Sequence, residues 1–218
     1  MNKEEIGFKE HEVRDYERKR YRGIDQRIVN AREQKILRKF LQNISDSAGF
    51  VLDLPCGYGR FSSLLHSQRL PVVNSDISFH MVKRARERVQ SPVQGLRMGV
   101  VVDAKRGLPF KSSIFPCVFS LRFFHHLHEK DDRVNILQEF FRVSNAWIIL
   151  SYYQMNILHL LQRKLRRKFK KSRTRIKMLS RKQIQGEIED VGFKVVGIRS
   201  LFRGLHAQRI ALLKKSKT

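Results

Sequence analysis

Four groups of residues in this chain have types and spacing that could do chemistry. The first is Asp53 followed by the turn Gly57-Tyr-Gly59, which closes the apolar run at residues 50–54. Glycines in such a turn let the backbone approach a ligand and take positive φ. The second is Asp76, at the end of the run 71–76. An acid placed there can accept hydrogen bonds from both hydroxyls of a ribose. The third is Asp103-Ala104, closing the run 96–103, near where a purine would lie. The fourth is 121–126, which starts at Leu121 and ends in His125 and His126, candidate general bases or packing residues. Cys56 reads as a small filler of its turn and Cys117 as buried strand. Their spacing does not fit a metal site, and none is expected.

These groups need elements to carry them. Residues 12–42 read as a helix with a partial apolar stripe through Ile36, Leu37, Phe40 and Leu41. Short apolar strands are expected at 50–54, 71–76, 96–103, 117–123, 146–151, 193–198 and 209–213. Helices are expected at 60–68, 78–89, 131–143 and 180–191, with Ser78 and Ser180 as N-caps. Strands alternating with amphipathic helices mean a parallel α/β sheet covered on both faces. In such a sheet ligands bind at the carboxyl ends of the strands, where all four groups fall. The chain is expected to form one domain. A helical cap spans 1–47, the core 48–152, a basic insertion 153–179, and a final helix with closing strands 180–218.

Two nucleotide cofactors compete for this layout. A dinucleotide fold wants G-x-G-x-x-G beneath a pyrophosphate. Here the third small position is Ser62, and Asp53 would sit poorly beside phosphate. That acid suits a ligand with an ammonium group. The stretch Val51-Leu-Asp-Leu-Pro-Cys-Gly-Tyr-Gly-Arg60 resembles the first motif of class I S-adenosylmethionine-dependent methyltransferases, particularly the type 11 or UbiE-like group. Pro55 stands where that family usually has its first glycine. The resemblance implies a Rossmann-like seven-stranded sheet, mostly parallel, with an antiparallel last strand. It implies S-adenosyl-L-methionine as cofactor. Asp53 would lie near the methionine amino end, Gly57 and Gly59 beneath the cofactor, and Asp76 against the ribose. Asp103 would face the adenine amine, in a stretch that resembles the family's D-A-x-x-L-P-F but carries the additional Lys105-Arg106. Pro55, Ile77, Ala104 and Leu121 complete the implied cofactor set. Residues 120–127 resemble the motif after the fourth strand, which ends in a similar His-His-Leu pattern. Tyr21, Tyr152 and Tyr153 are candidates to line an acceptor cavity.

Charge adds a second theme. Lys and Arg number 45 against 20 Asp and Glu, a net of +25. Residues 155–178 hold ten of those bases and no acid, two-fifths of the surplus. Within them, apolar residues at 157, 158, 161, 165 and 169 make one helical stripe, with Arg163, Arg166 and Arg167 among the bases around it. Three readings stand. The segment could lie on an anionic membrane surface, bind a polyanion such as RNA, or pack its stripe and leave its charges in water. Nucleic acid is the weaker partner, because residues 121–124 read Leu-Arg-Phe-Phe and not the Asn/Asp-Pro-Pro-Tyr/Phe of base-methylating families. The expected enzyme methylates a small-molecule or lipid-linked acceptor; an RNA methyltransferase or a non-catalytic cofactor-binding module is the alternative. Two unscaffolded cysteines, the absence of an apolar leader and the absence of an 18-residue apolar run point to a cytoplasmic protein, peripheral to a membrane if it meets one.

Overall fold

The apolar runs become strands whose two faces both need covering, and helices from both sides supply the cover. The computed structural model describes residues 8–19, 23–44, 49–88, 97–155, 177–202 and 206–216. In chain order the elements are α1 (Glu10–Lys19), α2 (Ile24–Leu41), β1 (Val51–Asp53), α3 (Ser62–Ser67), β2 (Val72–Asp76), α4 (Phe79–Arg88), β3 (Arg97–Val101), β4 (Phe115–Ser120), α5 (Lys130–Val143), β5 (Ser144–Tyr153), α6 (Arg181–Asp190), β6 (Phe193–Ser200) and β7 (Gln208–Lys215). Short 3-10 turns lie at Ala104–Arg106 and Phe124–His126. The strands form one seven-stranded sheet in the order β3-β2-β1-β4-β5-β7-β6. Strands β1 to β5 pair in parallel, and β7 runs antiparallel to β5 and β6. This is the expected Rossmann-like sheet with an antiparallel last strand. The sheet order reverses between β1 and β4, which opens a crevice at their carboxyl ends.

Side chains alternate across the sheet into two cores. Val118, Ile148, Leu150 and Tyr152 join one face with Ile136, Leu137 and Phe140 of α5 and Ile184 and Ile188 of α6. Cys117, Phe119 and Ile149 join the other with Leu37, Phe40 and Leu41 of α2 and Leu64 and Leu65 of α3. Each large side chain so buried contributes about 1.5–3 kcal/mol. Arg133 of α5 and Glu187 of α6, both buried, close a two-pronged ion pair at 2.9 and 2.6 Å. The same guanidinium donates to the carbonyls of Leu127, His128 and Glu129 and so fixes the loop after the two histidines.

Three local expectations change. The helix over 12–42 is two helices, broken at Gly23, which takes an extended conformation (φ −73°, ψ 149°) ahead of α2; glycine favours helix poorly. Strand β4 ends at Ser120, before the expected 123, because Arg122 takes a left-handed φ of +60°. Ser78 donates its hydroxyl to the Phe8 carbonyl at 3.1 Å, and its N–H is held by Asp76 Oδ1 at 3.0 Å. At α6 the expectation holds in full: Ser180 Oγ accepts from Gln183 N–H at 3.1 Å and Gln183 Oε1 accepts from Ser180 N–H at 2.9 Å. Ser180→Ala is therefore expected to cost about 1 kcal/mol, a fall in melting temperature of about 2–4 °C in a chain of this size. Thermal unfolding checks it; an unchanged midpoint would show that the box adds nothing. The basic stripe at 157–169, with Arg163, Arg166 and Arg167, and Tyr21 lie outside the described residues.

Candidate active site

The crevice is built around two buried acids. Asp53 ends β1 with 2% of its surface exposed, and Asp76 ends β2 with 8%. Asp76 braces the glycine turn against the next helix. Its Oδ2 accepts from Gly57 N–H at 3.0 Å while Oδ1 accepts from Ser78. Gly57 and Gly59 both take positive φ, +53° and +76°. A side chain at Gly59 would strike the Ala85 backbone at 2.7 Å, so this turn packs directly on α4. Gly57 has open space where a side chain would be, which leaves room above the turn for a ligand.

Electrostatics sets the two acids apart from surface carboxylates. Burial first, and then Asp76, push the Asp53 carboxyl well above its ordinary range. Its Oδ2 is buried with no hydrogen-bond partner among the described residues. Burial also raises Asp76, against a downward pull from the N–H groups of Ser78, Gly57 and Ile77. A buried oxygen of this kind calls for a donor or a cation. The ammonium of an amino-acid ligand fits it, and the open side of Gly57 fits the rest of such a ligand. Burial, then Asp53 and Asp76, drive the Cys56 thiol well up, which leaves it a filler and not a nucleophile.

The remaining expected cofactor residues line up along the same strand ends. Pro55 follows a cis peptide bond at Leu54. Ile77 is 39% exposed beside Asp76. Asp103 accepts from Lys105 N–H at 3.1 Å, so it caps a 3-10 turn, and it pairs with Arg106 at 3.3 Å. Ala104 and Leu121 are buried, the first in the core beneath that turn.

On the acceptor side, the structure separates the candidates. His125 is buried, its ring 4.9 Å from Tyr153 and 4.0 Å from His126. His126 is exposed; partial burial and then His128 lower its pKa, so it is neutral at pH 7. Tyr152 is a correction. Its side chain has no exposed surface and packs in the core with Ile148 and Leu150, so it offers an acceptor no surface; Tyr153, on the other face of β5, is partly exposed.

Sequence reading missed one further cluster. Glu33, fully buried on α2, binds Arg60 Nη2 by a short contact and Arg122 Nη2 at 3.1 Å, and accepts from Gln208 Nε2 at 2.7 Å. Burial alone would raise this carboxyl, but Arg122 and Arg60 hold it below its ordinary range. The signal was present in α2, where Glu33 shares the helical stripe of Ile36, Leu37 and Phe40.

The comparisons with known proteins agree with this geometry. Residues 51–146 match the model of the methyltransferase domain family. None of the curated proteins matches the chain in sequence. Similar solved structures include magnesium protoporphyrin IX methyltransferase from Synechocystis PCC 6803 with bound S-adenosylhomocysteine, at 21% identity and TM-score 0.73, covering 94% of this chain and 98% of that one. A protein of Pyrococcus horikoshii OT3 aligns at 22% identity and TM-score 0.72, covering 96% and 100%. A Haloferax volcanii methyltransferase, described as putative and solved with the Trm112 activator, aligns at 14% identity and TM-score 0.66, covering 97% and 100%. The fold is the one these solved structures share, and the glycine turn with the acids ending β1 and β2 falls within the matched residues. Over those residues the chain is similar to a methyltransferase domain. No helix among the described residues is long and apolar enough to cross a membrane.

Proposed function

We propose that this protein is an S-adenosylmethionine-dependent methyltransferase that acts on a small-molecule or lipid-linked acceptor, brought to it at an anionic membrane surface by the basic segment 156–171. The observation that carries this reading is where that segment is anchored. Lys177 N–H donates to the carbonyl of His125 at 3.0 Å, Leu179 N–H to that of Tyr153 at 2.8 Å, and Met155 N–H to that of Leu179 at 2.9 Å. The chain thus leaves and returns beside His125 and Tyr153, on the acceptor side of the crevice. A basic amphipathic stripe rooted there would hold the mouth of the site against a lipid surface. One structural neighbour is named a magnesium protoporphyrin IX methyltransferase, which supports a small-molecule acceptor for this fold.

Asp53 and Asp76 then take the ammonium and ribose of the cofactor, the turn at Gly57 and Gly59 lies beneath it, and Pro55, Ile77, Asp103, Ala104 and Leu121 border it. When bound, S-adenosylmethionine supplies an electrophilic methyl group on its sulfonium. The residues of this chain then need to align an acceptor atom with that methyl, and much of the acceleration comes from this positioning. His126, neutral at pH 7, can receive a proton from an acceptor that must lose one. Tyr153 and the buried His125, whose rings lie 4.9 Å apart, would stand beside the acceptor.

Flotation with liposomes of anionic phospholipid tests the surface role. Neutralising two bases, Arg166→Gln with Arg167→Gln, is expected to weaken binding at least about tenfold, since each base near such a surface contributes about 1 kcal/mol. Equal flotation of both proteins would refute the membrane role. Label from S-adenosylmethionine should appear in lipid or small molecules when cell extract is fractionated; label confined to RNA would replace the acceptor reading.

A further inference from the structure

The outer edge of the sheet carries a groove that the methyl-transfer centre does not use. It lies between α6 and β6 and has a volume of about 960 Å³. Four bases line it, Arg181, Lys194, Arg199 and Arg209, against one acid, Glu189. The charge is sorted along its length. The chain turns from α6 into β6 at Gly192, whose N–H donates to the Glu189 carbonyl at 2.9 Å, so the acid sits at the turn end. Arg181 stands eight residues back along α6, roughly 12 Å away. Arg209 pairs in the sheet with Tyr152 and Ser200, at the far end of β6 from the turn. Both guanidiniums act on the Tyr152 hydroxyl, which burial raises and Arg209 and then Arg181 pull down. One end of the groove is therefore cationic.

Arg209 is the fixed point of that end. It is half-buried, and its Nη1 donates to Ser200 Oγ at 2.9 Å and to the carbonyls of His206 and Gln208 at 2.5 and 3.2 Å. Those acceptors are neutral. Its Nε and Nη2, the other edge of the fork, have no acceptor among the described residues, and neither Arg209 nor Arg181 has a carboxylate partner there. Stretches 156–176 and 203–205 hold no Asp or Glu either. A half-buried guanidinium without a counter-charge calls for an anion. A fork held by one nitrogen presents its open edge to two oxygens of a phosphate. The position points to the source of that phosphate. Gln154 lines the groove, stands two residues before the basic segment 156–171, and bridges to Leu179 where the chain returns. The groove thus opens beside both roots of that segment. We propose that Arg209, with Arg181, binds the headgroup phosphate of an anionic lipid. The proposal rests on the membrane reading given above and adds to it a headgroup site outside the basic segment.

Flotation of the full chain on phosphatidylcholine vesicles containing phosphatidic acid tests it. Arg209→Lys keeps the charge and loses the fork, so it is expected to bind these vesicles about tenfold or more weakly than wild type. Arg181→Gln, at an exposed helix position that folding tolerates, is expected to weaken binding about fivefold. Equal flotation of wild type and Arg181→Gln overturns the site whether or not the Arg209 variant folds. A folded Arg209→Lys that floats as wild type does, beside a weakened Arg181→Gln, would reduce the groove to diffuse charge and overturn it as well. Calorimetry with glycerol 3-phosphate covers the soluble source. Binding to wild type that Arg209→Lys abolishes, with flotation of the two proteins equal, would assign the groove to a soluble phosphate ester and overturn the headgroup. Failure of the membrane reading looks different. Arg166→Gln with Arg167→Gln would then float as wild type does, while loss in Arg209→Lys would still support the headgroup site.

Discussion

Replacing Asp76 with asparagine is expected to lower affinity for S-adenosylhomocysteine at least about a hundredfold and to leave the fold in place. The carboxylate has two tasks in this structure. It holds the N–H groups of Gly57 and Ser78, and it stands at the end of β2 where the ribose would lie. Two hydroxyls donating to an ionised acceptor are worth about 1.5–3 kcal/mol each, and 1.4 kcal/mol is tenfold in affinity. Asparagine keeps the shape and one acceptor oxygen, so one of the two braces survives. The other meets an NH2 group, which donates where an acceptor is needed. Folding suffers less than binding, because burial already disfavours the charge of Asp76. Calorimetry and thermal unfolding of the ligand-free variant check both halves. An affinity equal to that of wild type would remove Asp76 from the site.

The parts of this site that were legible in the sequence are the local ones. An acid or a glycine turn at the end of an apolar run is visible within a few residues, and Asp53, Gly57, Gly59, Asp76 and Asp103 were all read from such runs. The alternation of strands and helices gave a covered parallel sheet in the same way. The antiparallel β7 came from the family resemblance, and the strand order from the structure alone, since no local pattern encodes which strands become neighbours. Tyr152 was misjudged although the information was present. It shares its face of β5 with Ile148 and Leu150, so the two-residue period already assigned it to the core. The Glu33 cluster was out of reach for another reason. Its partners lie 27, 89 and 175 residues away in sequence, and only the closed sheet brings them together. What the chain did display was a lone carboxylate on the apolar stripe of α2. Such a residue needs a buried partner, and Arg60 and Arg122 are that partner. The left-handed Arg122 was equally hidden, because arginine is not a residue that announces positive φ.

Asp53→Asn is expected to stabilise the ligand-free protein while it weakens cofactor binding, and the two effects have opposite dependence on pH. In the unfolded chain Asp53 titrates near 3.9. In the folded chain burial and the charge of Asp76 raise it well above that. Between those two values the folded protein holds a proton that the unfolded one has released. The stability contributed is therefore full below about pH 4 and is lost as pH rises through the folded value. A cationic ligand reverses the preference, because it selects the ionised carboxylate. Cofactor binding then expels a proton, and affinity should rise with pH across the same window by at most about tenfold per unit for this group. Asparagine removes both linkages. The ligand-free variant should melt higher at pH 7, by about 2–4 °C for each kcal/mol of relieved desolvation. Its affinity for S-adenosylhomocysteine should fall about tenfold or more, the share of one charge-assisted bond. The pH slope of binding should shrink to what Asp76, also raised by burial, supplies. Melting curves and calorimetry from pH 5 to 8 on both proteins decide it. Wild-type affinity that falls as pH rises, or a variant that melts lower and binds equally well, would mean that no cation faces Asp53 and that its burial serves packing alone.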